Sequence, residues 1–425
     1  MRTLYSLVTC LIAVISYPVG LLLALLGRPL LLERLKPPLN SPQGGSVRLW
    51  IHAASMGEAG IAFSMAEEVK KTYPGSFVFI STVTSTGLAR VRAMNESSKQ
   101  NIVDCSFLSP VDCYMITRGF VRKVRPTTFI LIETEIWPAL IQAVHNEGVP
   151  ITIINGKLSR RAFRRYMFFR FAIKEIVRNI SLVCVQSRSF SRRFSMLGVP
   201  RERIEIVGNI KFDSLPDPSG YKRETLRQGM GVPLNANLFV AGSTRPGEEE
   251  VLVKSFTKLL KKKPDAVMIL APRHLKRVPV IEKIFQDNGL PFVTRSSGDR
   301  IDGSNCRALI LDTMGELVSA YACADVAFVG GSITGFGGHN PLEPASLGVP
   351  VLFGPYMEQI GSKELLSEGA AALVHDEDEL AVLIISILND SEKKERMGNS
   401  GTAVVRRFQG TLERTLQCMK NRDLI

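Results

Sequence analysis

No two of the seven cysteines stand at C-x-x-C spacing; they lie at positions 10, 105, 113, 184, 306, 323 and 418. A zinc site or a redox pair therefore has little support, and an odd number of dispersed thiols suits a reducing compartment. The chain also lacks a G-x-x-x-x-G-K-[ST] phosphate loop, which disfavours ATPase chemistry. With two Trp, it has no aromatic-rich platform on which single-stranded nucleic acid would stack. No short-period repeat is visible. Glycine (34) and proline (23) are near average for 425 residues, so a fibrous or disordered chain is excluded.

What the chain does have is positive charge in one place. The formal net charge is +13, and from Gly156 to Arg203 thirteen Lys or Arg stand against two acids. Such a block seeks an anionic partner. The rest of the chain is close to neutral and offers no second basic element, so nucleic acid is not expected. Within the block, Lys157 to Arg170 mixes arginines with bulky apolar residues. On a helix, Phe163, Met167 and Phe171 fall on one side at four-residue spacing. That composition suits a segment lying on an anionic membrane or gripping an acidic lipid head group; a core helix with a solvated basic face is the plainer alternative.

Leu4 to Leu26 carries no charge. As a helix its 23 or so residues span roughly 34 Å, enough for the hydrocarbon core of a bilayer. Arg28, Arg34 and Lys36 follow it, which places the body of the protein in the cytoplasm. No small-residue cleavage motif follows the run, so residues 1–36 are expected to be a single uncleaved N-terminal anchor rather than a signal peptide. Pro37 to Gly45 reads as a linker.

From Val47 onward short apolar runs alternate with helical patterns: Val47–Ala53, Phe77–Thr82, Phe129–Ile132, Pro150–Ile154 and Leu182–Gln186. After Leu215-Pro216-Asp217-Pro218-Ser219-Gly220, a linker by its prolines and glycine, the alternation restarts with Leu238–Ala241, Val267–Leu270, Ala308–Leu311, Val326–Val329 and Pro350–Phe353. Strands separated by helices mean βαβ units and parallel, doubly wound sheets. The expectation is an α/β chain of two similar domains, residues 46–214 and 221–425, facing a cleft, with ligands at the carboxyl ends of the strands that line it. Ser391 to Asn421 reads as helix that packs back across the lobes.

Several motifs sit at strand ends. His52-Ala53-Ala54-Ser55-Met56-Gly57-Glu58 closes the first run, and Glu58 falls in the first turn of a helix. It is a candidate general base or, more simply, an acid facing the helix dipole. Glu133-Thr134-Glu135-Ile136-Trp137-Pro138 puts two acids directly after an apolar strand. Gly208-Asn209-Ile210-Lys211-Phe212-Asp213 precedes the linker, where Lys211 would neutralise a phosphate or a sugar carboxylate. In the second half, Gly242 to Glu249, Ala271-Pro272-Arg273-His274, Asp312-Thr313-Met314-Gly315-Glu316, Gly330-Gly331-Ser332 and Gly337 to Pro344 each follow a strand. Glycines there would let backbone N–H groups meet phosphate. Arg273 suits phosphate oxygens and Glu343 suits ribose hydroxyls. No metal site is expected, leaving cationic side chains and helix ends to stabilise a leaving phosphate.

Taken in order, His52 to Glu58, Glu133 to Pro138, Asn155-Gly156-Lys157-Leu158-Ser159, Gly208 to Asp213, Gly242 to Glu249, Ala271 to His274, Met314-Gly315-Glu316 and His339 to Pro344 resemble motifs of the 3-deoxy-D-manno-octulosonic acid (Kdo) transferases, over about residues 4 to 360. The usual pattern has Arg at Lys157 and His at Arg245. The resemblance implies a GT-B fold of two Rossmann-like domains, CMP-Kdo as donor and no cofactor. It implies a lipid A precursor (lipid IVA) as acceptor, at the cytoplasmic face of the inner membrane. It also implies Glu58 as catalytic base, with Glu135 (or Glu133) and Lys211 assisting. Pro272, Arg273, Met314, Gly315, Glu316, Asn340, Pro341, Leu342 and Glu343 would bind the nucleotide. Two other classes stay open at this point: a GT-B-like sugar-nucleotide epimerase, and a non-enzymatic membrane protein that binds anionic lipid.

Overall fold

The computed structural model describes residues 30–36, 47–98, 100–301 and 306–425. The expected anchor run Leu4 to Leu26 and the linker after Lys36 lie outside the described residues. Among the described residues no helix is long and apolar enough to cross a membrane. The helix Leu30–Leu35 is held by Arg34, whose Nε donates to the Ser109 carbonyl at 2.9 Å.

The chain divides into two compact units. One runs to Asp213 and takes back Gly410–Ile425; the other is Ser214–Gln409. The first contains a seven-stranded sheet of β1 (Arg48–Ala53), β2 (Phe77–Thr82), β3 (Cys105–Leu108), β4 (Thr128–Ile132), β5 (Ile151–Gly156), β6 (Leu182–Val185) and β7 (Ile204–Ile206). Its spatial order is β3-β2-β1-β4-β5-β6-β7, all parallel. The second unit repeats the plan with β8 (Asn237–Thr244), β9 (Ala266–Pro272), β10 (Phe292–Thr294), β11 (Ala308–Ile310), β12 (Val326–Val329), β13 (Val351–Phe353) and β14 (Ala371–Leu373), ordered β10-β11-β9-β8-β12-β13-β14.

Both are doubly wound sheets, with an apolar cluster on each face. Central strands such as β1, β4, β5 and β9 are buried along their whole length, because helices cover both faces of a parallel sheet and leave no polar side for alternation. The order reverses between β1 and β4 in the first sheet and between β8 and β12 in the second, where β10 and β11 also change places. Connections on the two sides of a reversal leave in opposite directions, so a crevice opens there at the carboxyl ends of the strands.

The second domain, expected as 221–425, ends earlier than its helical pattern suggested. The C-terminal helix pattern splits into Ser391–Phe408 and Thr411–Lys420 at Gly410, which is left-handed (φ 76°). The last helix belongs to the first unit. Asp213 accepts from the N–H groups of Thr411 (3.1 Å) and Leu412 (2.5 Å), and Arg414 donates to the Val207 carbonyl at 2.9 Å. Leu416 and Met419 complete an apolar cluster with Leu49, Ile130 and Leu182.

The basic segment also departs from its pattern. The helix stops at Phe168 and a second one, Arg170–Val177, follows after Phe169. The break ends the four-residue spacing. Phe163 and Met167 pack on the core, while Phe168 and Phe171 are each 83% exposed and Phe169 is 56% exposed.

Candidate active site

The reversal point of the first sheet carries the acids. β1 and β4 run side by side, His52 opposite Leu131. Ser55 caps the helix Met56–Thr72, its Oγ accepting from the Glu58 N–H at 3.4 Å. Glu58 Oε2 turns back to accept from the Ala54 N–H at 2.6 Å. The acid thus does serve the helix start, as a capping-box residue would, yet only one oxygen is used; Oε1 has no partner among the described residues. Burial lifts Glu58 to about 7, and the charges of Glu135 and Glu133 add to the rise against the Ala54 N–H.

Beyond β4 the chain turns at Glu133, a non-glycine residue at φ 59°. Such a conformation costs of order 1 kcal/mol or more and is kept where surrounding structure enforces it. Lys211 Nζ lies 3.4 Å from Glu133 Oε1, so the predicted lysine pairs with Glu133 and not with Glu135. Glu135 Oε2 accepts from the Trp137 indole N–H at 2.7 Å. Burial raises the Glu135 carboxyl, opposed by that N–H and reinforced by Glu133.

Roles for Asn155, Trp137 and His52 were not legible beforehand. Asn155 sits left-handed at φ 53°, and its Oδ1 accepts from the Ile210 N–H at 3.0 Å, fixing the turn that carries Lys211. Trp137 meets the fully buried His52 edge to face, with centroids 5.9 Å apart. Burial pushes His52 down to about 3, so it stays neutral; its Nδ1 lies 2.9 Å from Ser81 Oγ, which accepts from Trp50 Nε1 at 2.8 Å. This packed stack sets the plane of the indole that holds Glu135. Trp137→Phe keeps an aromatic side chain and deletes the N–H. Loss of a hydrogen bond to a charged group is worth about 1.5–3 kcal/mol, so any activity that uses Glu135 should fall at least about tenfold in kcat with melting temperature little changed. Steady-state kinetics on the purified variant checks this, and an unchanged kcat contradicts it.

In the second unit the predicted nucleotide residues follow β9, β11 and β12. Arg273 is exposed just after β9, while Pro272, Pro341 and Leu342 are buried. Asn340 Oδ1 accepts from the Leu342 N–H at 3.1 Å, and its Nδ2 donates to Glu343 Oε1 at 3.4 Å. Burial raises Glu343, with Asn340 and Arg273 opposing. Met314 is 81% exposed and Gly315 is left-handed at φ 90°. Glu316 is held instead by Arg295, at 2.8 Å and 3.0 Å, and by Thr313; these lower its carboxyl below the usual range.

One expectation fails. The loop Gly330-Gly331-Ser332 does not offer its N–H groups to a phosphate. The fully buried Glu248 takes those of Gly331 (2.6 Å), Ser332 and Ile333 (both 2.9 Å), and that of Arg245 (2.9 Å). A carboxylate at zero exposure needs such donors to offset its desolvation. The single D-x-D spacing, Asp376-Glu377-Asp378, is likewise spent on structure. Asp376 caps a helix through the N–H groups of Asp378 and Glu379, and Asp378 pairs with Lys258 at 2.6 Å.

Two doubly wound parallel sheets in one chain, each with polar side chains at its reversal point, define a GT-B-like enzyme architecture. Solved structures agree on the fold: UDP-GlcNAc 2-epimerase from Neisseria meningitidis aligns over 88% of this chain and 99% of its own with a TM-score of 0.61, at 15% sequence identity. The family model for 3-deoxy-D-manno-octulosonic-acid transferase (kdotransferase) matches residues 30–214. The 3-deoxy-D-manno-octulosonic acid transferase of Haemophilus influenzae is 33% identical over 383 residues, covering 89% of this chain and 87% of that protein. The protein of the same name from Chlamydia trachomatis is 26% identical over 381 residues, 89% and 86% of the two chains. The chain belongs to the 3-deoxy-D-manno-octulosonic acid transferase family, and it is a glycosyltransferase.

Proposed function

We propose that this enzyme moves Kdo from CMP-Kdo to a lipid A precursor (lipid IVA) in lipopolysaccharide core biosynthesis, with inversion at the anomeric carbon. The observation that carries the reading is Glu58: a carboxyl raised to about 7, with one oxygen unengaged, at the strand end where the first sheet reverses. A base poised near the working pH takes a hydroxyl proton most effectively. Glu58 accepts the proton of the acceptor hydroxyl, and that oxygen attacks the anomeric carbon as the bond to the CMP phosphate breaks. Positive charge grows on the sugar, and the Glu135 carboxylate stabilises it. Lys211, through its pair with Glu133, keeps a cation near the acids. Arg273 meets the departing phosphate, and Asn340 and Glu343 hold the ribose. The transfer needs no metal and no cofactor.

Residues 1–36 supply a single N-terminal anchor in the inner membrane, with both catalytic units on the cytoplasmic side, the side favoured by the positive charges after the apolar run. Phe168, Phe169 and Phe171 stand exposed among Arg160, Arg161, Arg164, Arg165 and Arg170, a chemistry that suits an anionic lipid surface. Replacing all three by Ser should raise KM for the lipid acceptor in anionic vesicles at least about tenfold, since a buried Phe is worth roughly 1.5–3 kcal/mol, and leave CMP affinity unchanged. A KM within twofold of wild type contradicts the lipid contact.

Incubation of the purified full chain with CMP-Kdo and lipid A precursor tests the whole reading by mass analysis. A lipid product heavier by one or more Kdo units, with CMP released, is the expected result. Altered nucleotide sugar with unmodified lipid, or no change in either, overturns it.

A further inference from the structure

Three side chains from three strand ends meet at the reversal point of the second sheet. Arg245 follows β8, His274 follows β9 and His339 follows β12. Arg245 Nε donates to His339 Nε2 at 3.2 Å, and Nη1 donates to His274 Nε2 at 2.9 Å. A guanidinium only donates, so each imidazole takes its hydrogen bond through Nε2. Phe336 lies under the guanidinium, its ring centre 5.1 Å from the central carbon. The cation is gripped on two sides and stacked on a third face, yet three of its five N–H hydrogens remain unspent.

Its partners set it apart from the structural arginines of the same unit. Arg223 and Arg227 pair with Asp325, Arg277 with Glu249, and Arg295 with Glu316. Among the described residues the Arg245 guanidinium has no carboxylate partner. A second cation borders the cluster: Arg273 acts on His339, which burial, Arg245, Arg273 and His274 together press down to about 4. A half-buried guanidinium held by two imidazoles, with an exposed arginine beside it, is open to an anion that arrives from solvent. The loop N–H groups that would otherwise serve an anion here are consumed by Glu248.

We propose that Arg245 binds the phosphate of the nucleotide donor through its free Nη1 and Nη2 hydrogens, with His274 and His339 as positioning residues that fix the guanidinium plane. The inference rests on the nucleotide-sugar donor reading given above. A planar two-point grip on phosphate is what a guanidinium provides and an ammonium does not. It makes and breaks no bond; its contribution is affinity for the phosphate in the ground state and for its growing charge as the sugar leaves.

The test is calorimetric binding of CMP and of cytidine, which lacks the phosphate, to the full-length protein in detergent. Wild type should bind CMP at least about tenfold tighter than cytidine, as charge-assisted hydrogen bonds require. Arg245→Gln should lose at least about tenfold in CMP affinity and stay within twofold for cytidine. Arg245→Lys, which keeps the charge without the fork, should fall between them and guards against misfolding of the first variant. His274→Phe should weaken CMP and spare cytidine. If Arg245→Gln binds CMP as wild type does, the inference is overturned while the donor reading stands. Equal loss of CMP and cytidine also overturns it, since Arg245 then only supports the pocket. Wild type that binds neither compound overturns the donor reading itself.

Discussion

Glu58→Gln should lower transfer about 10²–10⁴-fold, the usual contribution of a general base, and leave CMP binding unchanged. Glutamine keeps the side chain's size and its acceptor oxygen for the Ala54 N–H, so the helix start survives. A second consequence follows from the raised pKa. Between the unfolded value near 4.3 and the folded value of about 7 the folded state holds a proton that the unfolded chain has lost. Stability therefore declines as pH rises through that window and is lowest, with respect to this group, above it. Glu58→Gln removes the penalty, by up to about 3 kcal/mol. The variant should be nearly inactive and should melt higher than wild type at pH 8, with little difference at pH 4.5. Kinetics and thermal melting on the same sample check both halves. Transfer within threefold of wild type removes Glu58 from the base role.

Asp325→Ala should be the most damaging single change to the fold of the second unit. Asp325 is buried next to β12 and joins three cations: Arg223 at 2.6 Å, Arg227 at 2.8 Å and Lys394 at 2.9 Å. It also accepts from the Leu238 N–H of β8 at 2.9 Å. Burial pushes its carboxyl up, but Arg223, the Leu238 N–H and Lys394 outweigh it and hold it at about 2. Removing the carboxylate strands Arg227, whose side chain is 4% exposed. An uncompensated buried charge of this kind costs about 3–5 kcal/mol, a large share of the 5–15 kcal/mol that typically holds a domain. The depressed pKa gives stability that is present above about pH 4 and lost as pH falls toward 2. Urea unfolding of the variant at pH 7 should show the loss, and a change below about 1 kcal/mol contradicts the assignment.

Most of both sheets was legible in the sequence, and the strands that were not share a physical reason. The ten apolar runs correspond to β1, β2, β4, β5, β6, β8, β9, β11, β12 and β13. The four strands left out, β3, β7, β10 and β14, are the edges of the two sheets. An edge strand is short and only partly covered: β10 is half-exposed throughout, and β7 and β14 each have one buried residue out of three. β3, β7 and β10 carry no long apolar run to read, and β14 lies in the stretch Ala370 to Val374, which is too rich in alanine to mark a strand.

The acids of the first unit were legible because each stands within a few residues of the carboxyl end of an apolar strand. Their partners were not, because pairing depends on the turn. Only the left-handed backbone at Glu133 explains why Lys211 meets it, while Glu135, two residues on, goes to Trp137. The glycines after β12 suggested a phosphate cradle, and the reversal of that expectation comes from Glu248, a residue 83 positions away in the chain from Gly331. The return of the last helix to the first unit depends on Asp213, which in sequence is one more acid before a linker.

The pH dependence of transfer is the sharpest check on Glu58 as the base. The wild-type kcat/KM, measured with CMP-Kdo and lipid A precursor between pH 5.5 and 8.5, should rise with unit slope and level off above about 7, because Glu58 accepts a proton only when ionised. A profile flat across that range, or one that falls as pH rises, contradicts a raised Glu58 acting as the base.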